Sequence, residues 1–153
     1  MAVTFQFVTD TSAMCAFDLG ALRHRLDDDA DLRDPLIPSA STASRTAELG
    51  AAIPAAQQGR ITMGVGLAED VNGVQRLLVG TSEPRGYLRP GVTLAPGETI
   101  APGLGHAEAD IVNFAQQNGL RLLEVGATRP ICPNCATLIE RAGAQPVTPL
   151  KVR

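Results

Sequence analysis

Residues 106–135 read HAEADIVNFAQQNGLRLLEVGATRPICPNC, and the fold turns on how this stretch is divided. Ile111, Val112, Phe114 and Ala115 recur at helical spacing between Ala107 and Asn118, and Gly119 supplies the stop. Leu120 to Ala127 is a largely apolar run of strand length, expected at the centre of a sheet. Pro133 suits the first turn of a second helix, running through Leu138, Ile139 and Arg141 to Gly143. Each helix begins with residues that carry chemistry: His106 and Glu108 at the first, Cys132 and Cys135 at the second. One His and two Cys make three zinc ligands and leave a fourth position for water. Glu108 is the kind of group that moves that water's protons. Cys132 and Cys135 are three apart, so on a helix both sulfurs share a face. The positive end of a helix also favours thiolate over thiol.

Working outward, Ser41 to Ile53 is Ala-rich with a polar start and reads as a helix that Pro54 ends. Arg60 to Ala68 alternates like a strand, Asp70-Val71-Asn72-Gly73 is a turn, and Val74 to Gly80 is the returning strand of a hairpin. Residues 83–105 carry four prolines and five glycines and lead straight to His106. A loop of that length in a domain of this size is more often functional than passive, so it reads as part of the site wall. Pro146 to Val152 adds a final short strand. The order is helix, two antiparallel strands, helix, strand, helix, strand, which yields an α/β sheet with helices on its faces. Residues 1–40 read as an irregular extension, with an acidic run at Asp27–Asp31 followed by Pro35 and Pro38. The domain proper is 41–153.

Composition narrows the partners. The 153-residue chain carries a net charge of −3, which argues against coating nucleic acid by charge alone. The sign is uneven, −4 over residues 1–59 and +1 over 60–153, and twelve of the thirteen basic residues are Arg. Arg forks onto phosphate and stacks on planar rings, which leaves room for a small local track. No apolar run reaches the ~18 residues that span a bilayer. The first ten residues have neither a basic leader nor a long apolar core, so they do not read as a signal peptide. Cys15 reads as a buried apolar filler.

His106-Ala107-Glu108 followed, 24 residues after Glu108, by Cys132-Pro133-Asn134-Cys135 resembles the cytidine deaminase superfamily, whose pattern is H-x-E and then P-C-x-x-C. The one departure is the proline, which is Pro130 with Ile131 inserted before Cys132. The resemblance implies a cytidine deaminase-like three-layer α/β/α sandwich with a central mixed sheet. It implies Zn2+ held by His106, Cys132 and Cys135, and a zinc-bound hydroxide that attacks a nucleobase ring carbon, C4 for cytosine. Glu108 is then the catalytic acid and base, not a ligand. The Ala107 backbone N–H occupies the family position that contacts the pyrimidine O2. An adenine ring would be served by the same groups.

The divergent motif, the Pro/Asp-rich connector and the short stretch after Cys135 look like the toxin domains of bacterial polymorphic and interbacterial systems. That likeness implies the C-terminal part of a larger secreted toxin, delivered into a target bacterial cell to act in its cytoplasm, and neutralised by a cognate immunity protein. Targets in such systems include single-stranded DNA, double-stranded DNA and RNA; the reading taken is cytosine in single-stranded DNA. With no Trp and one Tyr, stacking platforms are few. Arg85-Gly86-Tyr87-Leu88-Arg89 is the segment expected to serve, Arg85 and Arg89 for backbone contact and Tyr87 for stacking. Tyr87 reads equally as an anchor for its own loop. Two other classes remain: a deaminase of free nucleosides, and a non-catalytic zinc module closed by a fourth ligand such as His24, Cys15 or Glu124.

Overall fold

The computed structural model describes residues 41–152. The extension 1–40, with its acidic run, Cys15 and His24, lies outside the described residues. Helix α1 spans Thr42–Ala52; Ser41 caps it, its hydroxyl accepting from the Ser44 N–H at 3.2 Å. Strands β1 (Met63–Glu69) and β2 (Gln75–Thr81) form the expected hairpin. The turn between them is held by the Asp70 carboxylate, which accepts from the Val74 and Asn72 N–H groups. These bonds hold Asp70 below the usual carboxylate range. Then come β3 (Thr99–Ile100), α2 (Ala107–Gln117), β4 (Arg121–Ala127), α3 (Pro133–Arg141) and β5 (Gln145–Pro146).

The five strands make one mixed sheet in the order β3-β2-β1-β4-β5. β1 is antiparallel to both β2 and β4, whereas β3 and β5 run parallel to their neighbours. Helix α1 covers one face and α2 with α3 the other, giving an α/β/α sandwich. Three expectations need correction. The central strand is β1, not β4: the connection from β2 through α2 to β4 passes over β1 and leaves it between them. The proline-rich loop contains β3, secured where the Ala101 N–H donates to the Val79 carbonyl at 2.8 Å. The last strand is only two residues long, followed by an isolated bridge between Ile131 and Leu150. Pro146 and Pro149 have no N–H to offer a continuous ladder.

The crossover explains the composition of β1. Its α1 face carries Met63 and Val65, which join Leu49, Ile53 and Val79 in one core. Its other face is Gly64, Gly66 and Ala68, opposite Ile111 and Leu122. Gly80 on β2 lies directly under the start of α2, where a Cβ would collide with the Ala107 carbonyl. The smooth strip lets α2 settle against the sheet backbone. A register shift at Leu67/Ala68 keeps Leu122 on the α2 side and Glu124 on the α1 side. There Glu124 accepts from the Thr42 hydroxyl at 3.0 Å.

On the α1 side the Arg45 guanidinium bonds both oxygens of Glu98, at 2.6 and 2.9 Å. Burial pushes the Glu98 carboxyl up, but the Arg45 pairing and the Ala95 N–H, which donates to it at 2.7 Å, together hold the group below its ordinary value. Such a group stabilises the fold above its unfolded pKa, and the contribution is lost as pH falls through the lower folded pKa. Glu98→Gln is expected to cost about 3 kcal/mol near neutral pH. The gap from wild type should close on acidification below the usual carboxylate range, read by denaturant melts at several pH values. Gly80→Ala is expected to cost about 1–3 kcal/mol by overpacking; a melt equal to wild type would show that α2 is not seated through this contact.

Candidate active site

The strip that seats α2 also fixes where its first residues point. His106 is the N-cap of α2, and Ala107 and Glu108 are its first two residues. Ala107 is buried against Gly80, and its N–H is among the four at a helix start that have no intrahelical acceptor. Glu108 is only 6% exposed. Cys132 is the N-cap of α3, its sulfur accepting from the Cys135 N–H at 3.3 Å, with Pro133 in the first turn. Cys135 is 4% exposed, and its sulfur lies 4.0 Å from His106 Nδ1. All four side chains line one cavity of about 390 Å3, completed by Thr62, Arg129, Pro130 and Lys151.

The loop before His106 is tied down by a residue that the sequence pattern did not single out. Asp110 is buried, and its two carboxylate oxygens accept from the N–H groups of Leu104 and Gly105, both at 3.1 Å. Gly103 has no room for a Cβ, which would sit inside the Asp110 carboxylate. The carboxylate thus satisfies two donors and sets the chain's entry into α2. A carboxylate in the first turn of a helix, two residues after Glu108, was the available signal.

Whether the donors suit a metal can be judged from their chemistry. Burial, the Cys132 sulfur and the Glu108 carboxylate together push the Cys135 thiol up to about 12. A cluster of sulfur and carboxylate that resists further negative charge is the environment a divalent cation reverses. Zinc bonds of about 2.3 Å to sulfur and 2.0–2.1 Å to imidazole, at a tetrahedral angle, put S and N roughly 3.6 Å apart. The 4.0 Å between Cys135 and His106 exceeds that by a small side-chain adjustment. Among the described residues no three His, Cys, Asp or Glu side chains are already drawn into a metal-holding group. The donor types and their shared cavity suit zinc, with His106, Cys132 and Cys135 as the residues that would hold it after side-chain rearrangement.

The Arg85–Arg89 segment is not brought into this cavity. Arg85 is exposed with a left-handed backbone (φ 60°), its N–H bonded to the Gly103 carbonyl at 3.0 Å. Tyr87 is half exposed with Arg89 over its ring, 5.5 Å from the centroid. Arg89 pairs with Glu83 at 2.8 Å and lines a neighbouring cavity of about 410 Å3 with Gln57, Arg60, Ile61 and Ser82. Glu124, a candidate fourth ligand, faces α1 and is not among the cavity residues. His24 and Cys15 fall outside the described residues. Thr62, Arg129 and Lys151 were missed by sequence reasoning. Only Arg129, three residues before Cys132, stood close enough to a motif to be suspected.

A family of unknown function, DUF6386, matches residues 1–44, a span that ends three residues into α1 and includes none of the cavity residues. No curated protein and no solved structure matches the chain. No helix among the described residues is long and apolar enough to cross a membrane.

Asp110→Ala is expected to destabilise the fold by about 2 kcal/mol, the worth of hydrogen bonds to a charged group. It should also weaken zinc uptake, because His106 loses its fixed approach; melts and metal titration measure the two effects. Unchanged zinc affinity would separate the loop anchor from the site.

Proposed function

We propose that this domain is a zinc-dependent nucleobase deaminase, a hydrolase that converts cytosine to uracil in a polynucleotide, single-stranded DNA being the favoured target. The observation that carries the reading is one cavity lined by a buried Glu108, His106, Cys132 and Cys135, each delivered by the start of a helix. A structural metal site has no use for a buried carboxylate beside its ligands, so the arrangement favours catalysis over a non-catalytic zinc module.

In this reading His106, Cys132 and Cys135 hold the zinc. The ion would supply Lewis acidity, which lowers the pKa of a water in its open position to roughly 7. Glu108 then does the proton work: it takes a proton from the attacking water, delivers one to the cytosine ring nitrogen N3, and assists departure of the C4 amino group as ammonia. Its burial keeps competing water away from the carboxylate. By the motif resemblance the Ala107 N–H would contact the pyrimidine O2; Ala107 itself is buried against Gly80 and is not among the residues that line the cavity. Thr62 and Pro130 complete the cavity wall, and a base flipped from its strand would have to enter this cavity to reach Glu108.

The wider role follows from the resemblance of the motif. The domain is read as the toxic part of a larger protein of bacterial competition, delivered into a target cell and held in check by an immunity protein.

Purified zinc-loaded protein, offered single-stranded DNA, duplex DNA, RNA and free cytidine, is expected to deaminate cytosine in a polymer. Glu108→Ala should lower that rate by at least about 10²-fold, the lower bound for loss of a general acid and base, with zinc still bound. Turnover of free nucleoside alone would move the protein to metabolism. Zinc binding with no turnover on any substrate would favour the structural module.

A further inference from the structure

Two basic side chains on the wall of the 390 Å3 cavity have no part in the chemistry assigned above. Arg129 comes from the segment between β4 and α3, and Lys151, the sole lysine, from the chain beyond β5. Their placement is built. The Ile131 N–H donates to the Pro149 carbonyl at 3.1 Å and the Lys151 N–H to the Ile131 carbonyl at 2.8 Å. This short parallel pairing is centred on Ile131, which is wholly buried and immediately precedes Cys132. It therefore fixes the Lys151 backbone against the segment that carries Arg129 and Cys132, and both cations line the one cavity. Both side chains are exposed, and neither makes an ion pair among the described residues.

We infer that Arg129 and Lys151 form a phosphate clamp that makes this a polynucleotide site. The inference rests on the deaminase reading and names the substrate class within it. A cytosine base is neutral and gives two cations nothing to bind, whereas the phosphodiester beside it carries a full charge. Arg supplies a fork and Lys a point charge, the two modes by which proteins hold phosphate oxygens. A mononucleotide would offer the same phosphate, and the second cavity, about 410 Å3, favours the polymer. Ile61 lines it and Thr62, the next residue, lines the first, so the two cavities meet at adjacent residues just before β1. The Thr62 N–H donates to the Ser82 hydroxyl at 2.9 Å, and the Ser82 N–H to the Thr62 carbonyl at 2.8 Å. Room for a further nucleotide, with Arg60 beside it and in no ion pair among the described residues, serves a polymer. The charge placement also answers the net charge of −3: affinity comes from a few local cations rather than a broad basic surface.

The test is binding of a labelled single-stranded DNA of about twelve nucleotides containing cytosine, near the upper site size of a single binding groove, and of cytidine 5′-monophosphate, to the full chain across a salt series. The Arg129→Ala/Lys151→Ala double variant is expected to raise the oligonucleotide Kd about tenfold and lower the salt slope by about 1.4, each phosphate left without its cation accounting for about 0.7. Lys151→Arg in the Arg129-intact protein should restore wild-type binding. Arg121→Ala, on a residue paired with Glu69 outside the cavity, should change neither quantity. A thermal melt of each variant separates weakened binding from a damaged fold. An unchanged Kd and slope in a folded double variant overturns the clamp, as does a wild-type protein that binds the oligonucleotide no more tightly than the mononucleotide. Binding needs no turnover, so an inactive protein that shows the double-variant effect refutes the deaminase reading and leaves the clamp standing.

Discussion

The approach of α2 to the sheet is the constraint on which the site depends. A helix start can lie on strand backbone only where side chains are missing, and Gly64, Gly66 and Gly80 clear that space. Ile111 and Leu122 then fill the shallow groove, so the contact is both close and apolar. Because His106, Ala107 and Glu108 are the residues at the point of contact, core packing and site geometry are one problem here. The second half of the site repeats the solution. Ile131 and Ile139, both fully buried, hold the two ends of the segment that carries Cys132 and Cys135.

Convergence of two helix starts sets the electrostatics. Both α2 and α3 begin at the same cavity and bring the partial positive charge of a helix start to it. Into that field the sequence places two sulfurs and a carboxylate, with Arg129 and Lys151 at the edge. The arrangement is graded: sulfur and carboxylate inside, cations at the edge. On the opposite face Arg45 with Glu98, and Thr42 with Glu124, tie α1 to the loop and to β4. Those polar contacts carry structure, not chemistry.

Much of this was legible because local signals were strong. Ser41, Gly73, Gly119, Pro133 and Gly143 mark element ends for reasons that operate within a few residues, and the structure ends its helices and turns there. The four motif residues were found by spacing, and the fold does bring them to one cavity. What could not be read was long-range. Which strand is central depends on α2 crossing over β1, a fact of handedness and pairing with no local mark. Lys151 reaches the cavity through a bridge to Ile131, far earlier in the chain, and no periodicity encodes that. The role of the Arg85–Arg89 segment could not be read either, because exposed Arg and Tyr look alike in sequence whether they face a ligand or one another; the segment lies outside the 390 Å3 cavity, with Arg89 on Glu83 and the Tyr87 ring.

The paired hydrogen bonds from the loop backbone to Asp110 isolate one part of the molecule from another. Upstream of Gly103 the chain is fastened again, by the Arg85 N–H to Gly103 and the Ala101 N–H to Val79. Between these points only the exposed tips can vary freely, since Val92 is buried in the α1-side core and Arg45 holds both the Thr93 carbonyl and Glu98. Changes at those tips are insulated from the start of α2, whose position is set on the far side of the Asp110 anchor.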